Sequence, residues 1–137
     1  MAISTRFCRI AGLFLGSAVA ASAVTATPHP PEVQQQINAG ISLYKERCVK
    51  CHSENLVGGA GPPLNGEDFA QQWDGKPMRA LYSRILMTMP ADDPGSLTPA
   101  QVLTLVSYIA SENLLAEWDE PLKSANELTN LPMRNRK

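Results

Sequence analysis

The chain has 137 residues, 12 basic and 13 acidic side chains, and a formal net charge of −1. This length suits one domain, and the charge is too small to indicate a protein that binds nucleic acid or an anionic membrane surface. Only 6% of the residues are aromatic, whereas glycine and proline are frequent. The side chains alone therefore predict a modest core, which a bulky apolar prosthetic group would enlarge.

The first 26 residues have the features of a secretory signal peptide. Arg6 and Arg9 precede an apolar run that extends from residue 10 to about Ala23, and small residues follow it. The run is shorter than the ~20 residues that a membrane-spanning helix needs. We therefore predict export to the periplasm and cleavage after Ala23 or Ala26, with no membrane span left. Because both arginines are lost, cleavage after Ala26 leaves 111 residues with a net charge of −3.

The predicted elements downstream are helices. A flexible leader is expected at residues 27–36, although apolar residues at helical spacing predict a first helix from about residue 31 to residue 50. A short helix is expected at residues 69–73. A further helix is predicted within residues 76–90, with apolar residues on one face and a proline at its end.

The last predicted helix has the clearest start signal. Thr98 suits the N-cap, Pro99 suits the first helical position, and Gln101 completes a capping box. No strand pattern is visible, so the predicted fold is all-α, with long loops wrapped round a bound group. We take residues 37–114 as the domain and residues 115–137 as a C-terminal extension of uncertain structure.

The segment "RCVKCH" carries the chemistry. After cleavage Cys48 and Cys51 are the only cysteines, and His29 is the only histidine besides His52. Zinc is disfavoured because a structural site takes four Cys or His ligands. A redox dithiol is disfavoured because no strands flank the motif. Cys-x-x-Cys-His is the attachment signature of c-type haem, in which two thiols bond the vinyl groups and the histidine is an iron ligand.

A second axial ligand is expected from one of two methionines. Met89 precedes Pro90, where a helix would end and a loop could present the sulfur to iron. We expect Met87 to pack along its helix. Ligation by His52 and Met89 would raise the haem potential.

Several segments resemble the small monohaem class I c-type cytochromes over about residues 38–113. They are "GISLYKERCVKCHS", "GPPLNG" and "MPADDPGSLTPAQVLTLVSYI". The likeness is strongest to the cytochrome c domains and subunits associated with quinoprotein alcohol dehydrogenases. It implies a cytochrome c-like fold round one haem c, attached through Cys48 and Cys51 with His52 and Met89 as axial ligands.

The resemblance also implies roles for residues round the haem. Pro62, or its neighbour Pro63, would accept a hydrogen bond from the proximal histidine. Trp73 and Arg79 are candidate partners of the haem propionates. Gly40 on the first helix would allow close approach of another helix. The chain departs from the family in its C-terminal extension, where Trp118 would dock on a partner or cover the haem edge, unless that extension is poorly ordered.

The function implied is transfer of single electrons rather than catalysis. The partners expected are redox proteins met transiently, with a dehydrogenase as donor and an oxidase or another cytochrome as acceptor. Two alternatives stay open. The chain could be a haem subunit of a larger dehydrogenase. It could also be an open-site haem sensor or enzyme if Met89 is not a ligand.

Overall fold

The computed structural model describes residues 29–134, and the predicted signal peptide at residues 1–26 lies outside them. The described residues form five α-helices and a short 3₁₀ helix, with no strand beyond an isolated bridge between Pro77 and Pro132. The helices are α1 (Pro31–Arg47), α2 (Val49–His52), α3 (Glu67–Trp73), α4 (Met78–Thr88) and α5 (Pro99–Glu112), and the 3₁₀ helix is Glu127–Asn130. The all-α prediction is confirmed for this part of the chain. None of these helices is long and apolar enough to cross a membrane.

Helix α1 begins earlier than the domain boundary that we placed at residue 37. Pro31 occupies its first turn, and Val33 is fully buried in the core. Gln36 accepts a hydrogen bond of 2.8 Å from the Ser107 hydroxyl. Residues 31–36 are therefore part of the domain and not a flexible leader, because their apolar face packs against α5.

The crossing of α1 and α5 depends on the absence of a side chain at Gly40. A Cβ atom there would overlap the backbone carbonyl oxygen of Thr104 and come within 2.9 Å of Tyr108 Cβ. One turn later on α1, the Tyr44 ring meets the Tyr108 ring edge-on, with the centroids 5.3 Å apart. The predicted close approach at Gly40 is confirmed, and it fixes the helix that leads into the cysteine motif.

The capping box of α5 forms as predicted. The Thr98 hydroxyl accepts a hydrogen bond from the Gln101 backbone N–H at 3.3 Å, and the Gln101 side chain accepts one from the Thr98 N–H at 2.9 Å. The helix then buries Val102 and Leu105. Because the cap satisfies two backbone donors at the helix start, the start of α5 is set by local sequence.

The C-terminal extension folds back onto the domain. Leu115, Leu128 and Met133 are fully buried, and the Met133 backbone pairs with the chain just before α4 through Gly75 N–H at 2.8 Å. Residues 115–134 are thus continuous with the core and not a separate extension. Trp118 is buried with its ring centroid 4.9 Å from that of His29, so it is not exposed to a partner as we had considered.

Candidate haem site

A cavity of about 350 Å³ opens between the helices, and its wall includes all four residues that we predicted to attach the haem or to bind its iron. They are Cys48, Cys51, His52 and Met89. The short helix α2 carries the first three, because Cys48 caps its start and His52 ends it. The rest of the wall is mainly apolar, with contributions from α3, α4, α5 and the loop before α3. Sequence positions about 40 residues apart therefore meet at one site.

The His52 imidazole is buried and held from two sides. Its Nδ1 lies 2.7 Å from the carbonyl oxygen of Pro62. A carbonyl oxygen can only accept, so Nδ1 carries a proton, and in the neutral ring Nε2 then holds the lone pair that could bind iron. Gly61 lies against the ring, and a Cβ atom there would stand 2.9 Å from His52 Cε1. Of the two neighbouring prolines, the structure places Pro62 as the hydrogen-bond acceptor.

The two cysteines are free thiols, half-buried at the cavity. Burial raises the pKa of Cys48 to about 11, while Arg47 acts in the opposite direction and Cys51 adds to the increase. A nucleophilic dithiol instead needs a pKa lowered towards neutrality. The environment of Cys48 therefore disfavours a thioredoxin-like role. Attachment of a haem, which uses both thiols and the adjacent histidine, remains as the role of the motif.

Met89 and Met87 differ in where they lie. Met89 is the first residue after α4, its N–H bonds to the Ile85 carbonyl at 3.0 Å, and it is half-buried on the cavity wall. Met87 is 73% exposed on the outer side of α4. Our expectation that Met87 packs along its helix is wrong, because its position on α4 faces away from the core. Of these two sulfurs, only that of Met89 is available to the cavity.

Trp73 presents a buried polar atom to this region. Its ring lines the cavity, and its indole Nε1 has no hydrogen-bond partner among residues 29–134. A buried indole N–H normally has an acceptor. A carboxylate in the cavity would supply one, which is what a haem propionate offers.

Arg79 is not brought to the cavity. Its guanidinium donates to the Ala125 carbonyl at 3.1 Å and to the Asn126 side chain at 3.0 Å, so it ties α4 to the C-terminal segment. Arg84, which our sequence reasoning missed, lines the cavity instead. Arg84 follows Leu81, another cavity residue, by three positions and so shares its helix face, whereas Arg79 does not.

These residues fit a covalently attached haem. The site offers two thiols, an imidazole with a free Nε2, a thioether and an unpartnered indole N–H round a largely apolar cavity. An all-α fold that holds this set defines a c-type cytochrome domain. Residues 35–109 match the family model described as cytochrome c oxidase, cbb3-type, subunit III. That match covers more than half of the chain, which therefore belongs to this family.

Curated relatives include the cbb3-type cytochrome c oxidase subunit FixP from two bacteria. The chain is 31% identical to that of Sinorhizobium medicae (strain WSM419) in an alignment of 94 residues that covers 59% of the chain and 32% of FixP. It is 39% identical to that of Rhizobium meliloti (strain 1021) over 69 residues, which are 49% of the chain and 23% of FixP. The chain thus spans a third or less of the relatives it matches. Neither of them is named as an alcohol dehydrogenase.

A solved structure has a similar fold. The crystal structure of the sulfane dehydrogenase SoxCD from Paracoccus pantotrophus aligns with a TM-score of 0.56 over 89% of this chain and 70% of the other. The sequence identity is 19%, so the likeness is one of fold.

Proposed function

We propose that the chain is an exported cytochrome with one haem c that carries single electrons between redox proteins. Family membership establishes haem electron transfer as the class of activity. Beyond this class of activity, we propose that the haem is attached through Cys48 and Cys51 and that His52 and Met89 are its axial ligands. The observation that supports it is the shared cavity wall, which contains both cysteines, Met89 and the His52 imidazole with its Nδ1 bonded to the Pro62 carbonyl.

The protein's own residues would tune and protect the bound group. Haem iron, when bound, supplies the one-electron chemistry. The Pro62 carbonyl holds the His52 ring in one orientation and makes its Nε2 a stronger donor. As a ligand, the neutral Met89 thioether would favour the reduced state and so raise the haem potential. The indole N–H of Trp73 would stabilise a propionate as its anion.

We do not expect catalysis. If His52 and Met89 both held the iron, they would leave no position on it for a substrate. The role left to the protein is to set the potential and to expose an edge of the haem to partners. Such encounters are usually small and transient. The segments similar to the cytochromes of quinoprotein alcohol dehydrogenases support a periplasmic dehydrogenase as donor, with an oxidase or another cytochrome as acceptor.

A stable subunit of a larger redox complex is the second candidate. Both curated relatives are named as subunits of an oxidase, and the chain matches only 32% and 23% of their lengths. Size-exclusion chromatography of the native protein from its own cells distinguishes the two roles. A carrier elutes near the mass of the cleaved chain, whereas a subunit elutes with the haem inside a much larger assembly.

The axial ligand is tested by far-red absorption of the oxidised, haem-loaded protein. Sulfur bound to ferric iron gives a weak charge-transfer band in this region. We expect the band in the wild type and in the exposed control Met87→Ala, and its loss in Met89→Ala. Loss in Met87→Ala alone would refute the assignment of Met89 but keep the carrier role. A wild type without the band that binds carbon monoxide readily when reduced would favour an open-site sensor or enzyme.

A further inference from the structure

The segment that follows Met89 has few ties to the rest of the molecule. We call residues 90–97 the ligand loop, because it joins Met89 to α5. Residues 91–96 are all exposed, and only Leu97 at the far end is buried. The loop's backbone bonds run within it, from Asp93 N–H to the Pro90 carbonyl at 3.0 Å and from Ser96 N–H to the Asp93 carbonyl at 3.3 Å. These bonds shape the loop without attaching it to a neighbouring element.

Arg47 attaches the ligand loop to α1. It is the last residue of α1 and directly precedes Cys48. Its Nη2 donates to the Ser96 hydroxyl at 2.9 Å and lies 3.9 Å from Asp93 Oδ2. Arg47 also lines the cavity, as do Met89 and Cys48. One side chain at the cavity thus joins the segment that carries the cysteines to the loop that follows Met89.

We propose that Arg47 is a positioning residue that holds the ligand loop closed and so keeps Met89 on the iron. This inference rests on the proposed function, since it needs Met89 to be the ligand. When the loop lifts, the sulfur leaves and an outside ligand can take its place. The frequency of lifting therefore depends on the contacts that close the loop.

The hydrogen bond to Ser96 contributes more than the ion pair. Asp93 is 71% exposed and 3.9 Å away, so solvent screens its attraction to Arg47. The Ser96 contact is short, and its donor carries a charge, which strengthens a hydrogen bond. Removal of the guanidinium should leave the fold intact, because α1 is anchored by its buried face on α5.

The experiment measures imidazole binding to the oxidised, haem-loaded full chain. Arg47→Met keeps the aliphatic stem and removes the donor. Lys45→Met is the matched control, since it removes one positive charge from an exposed position in the same last turn of α1. We expect Arg47→Met to bind imidazole about three- to tenfold faster than the wild type, and Lys45→Met to bind at the wild-type rate.

A second variant tests the contact from the other side. Ser96→Ala should also accelerate binding, and it should add little in the Arg47→Met background, because both changes break the same bond. Equal rates for Arg47→Met and Lys45→Met, or full additivity of Arg47→Met and Ser96→Ala, would overturn the proposal. If the wild type lacks the far-red sulfur band, the ligand assignment itself fails. A band in the wild type with no effect of Arg47→Met refutes only the role of Arg47.

Discussion

Gly61→Ala tests whether the imidazole is held where the structure places it. The added Cβ would stand 2.9 Å from Cε1, 3.1 Å from Nδ1 and 3.3 Å from Nε2 of His52. The ring cannot simply turn away, because Nδ1 is bonded to Pro62, the next residue along the chain. Overpacking of this kind costs about 1–3 kcal/mol. Loss of glycine flexibility in the unfolded chain returns about 0.4–1 kcal/mol, so the net destabilisation expected lies between about 0 and 2.6 kcal/mol, with a midpoint of about 1.3 kcal/mol.

Gly59→Ala is the matched control in the same loop. Its Cβ would meet only the Cys51 carbonyl oxygen, at 3.3 Å. Guanidinium unfolding of the haem-loaded proteins, followed by circular dichroism, gives both free energies. We expect the Gly61 variant to be the less stable one and to show an altered Soret band, since its proximal ligand has moved. Equal stability and identical spectra for the two variants would refute the geometry of the His52 side.

Three further outcomes follow from the packing. Gly40→Ala should lower the free energy of unfolding by about 1–3 kcal/mol, because the added methyl group overpacks the α1–α5 crossing. An isolated helix would instead be stabilised by alanine. A variant that is more stable than the wild type in denaturant would therefore contradict the crossing. Leu128→Ala should lower the free energy of unfolding by about 2–5 kcal/mol. Leu114 is 64% exposed, so Leu114→Ala should lower it by less than about 0.5 kcal/mol. Equal losses of stability in denaturant would show that the C-terminal segment does not pack. Trp73→Phe should raise the apparent pKa of the propionate, because a donor to its anion is lost; an unchanged pH dependence of the reduction potential would exclude that contact.

Local signals were sufficient for some elements of the fold and site. The capping box at Thr98 and the Cys-x-x-Cys-His motif each span only a few residues. Neighbouring residues in the sequence are therefore sufficient to predict them. Gly40 was also recognisable, since a glycine inside a helix needs a packing reason. Fold class and family likeness followed from these elements.

Other features depend on partners far along the chain. The segment after residue 114 has no helical period, and its burial depends on surfaces of α1 and α4 that the sequence does not reveal. Arg79 was chosen for its charge, but its bonds go to Ala125 and Asn126, which are 46 and 47 residues away. The helix face of Leu81 would have indicated Arg84, but only once it was known which face borders the cavity.

The link between Gln36 and Leu122 has a consequence for the order of folding. The Gln36 amide bonds both the N–H and the carbonyl of Leu122, across 86 residues. Contacts of such long separation close late, because a large loop must be ordered before they contribute. The first turns of α1 can therefore complete their packing only after the C-terminal segment has docked, so loss of the Leu122 contact would loosen the start of α1 rather than the end that leads to Cys48.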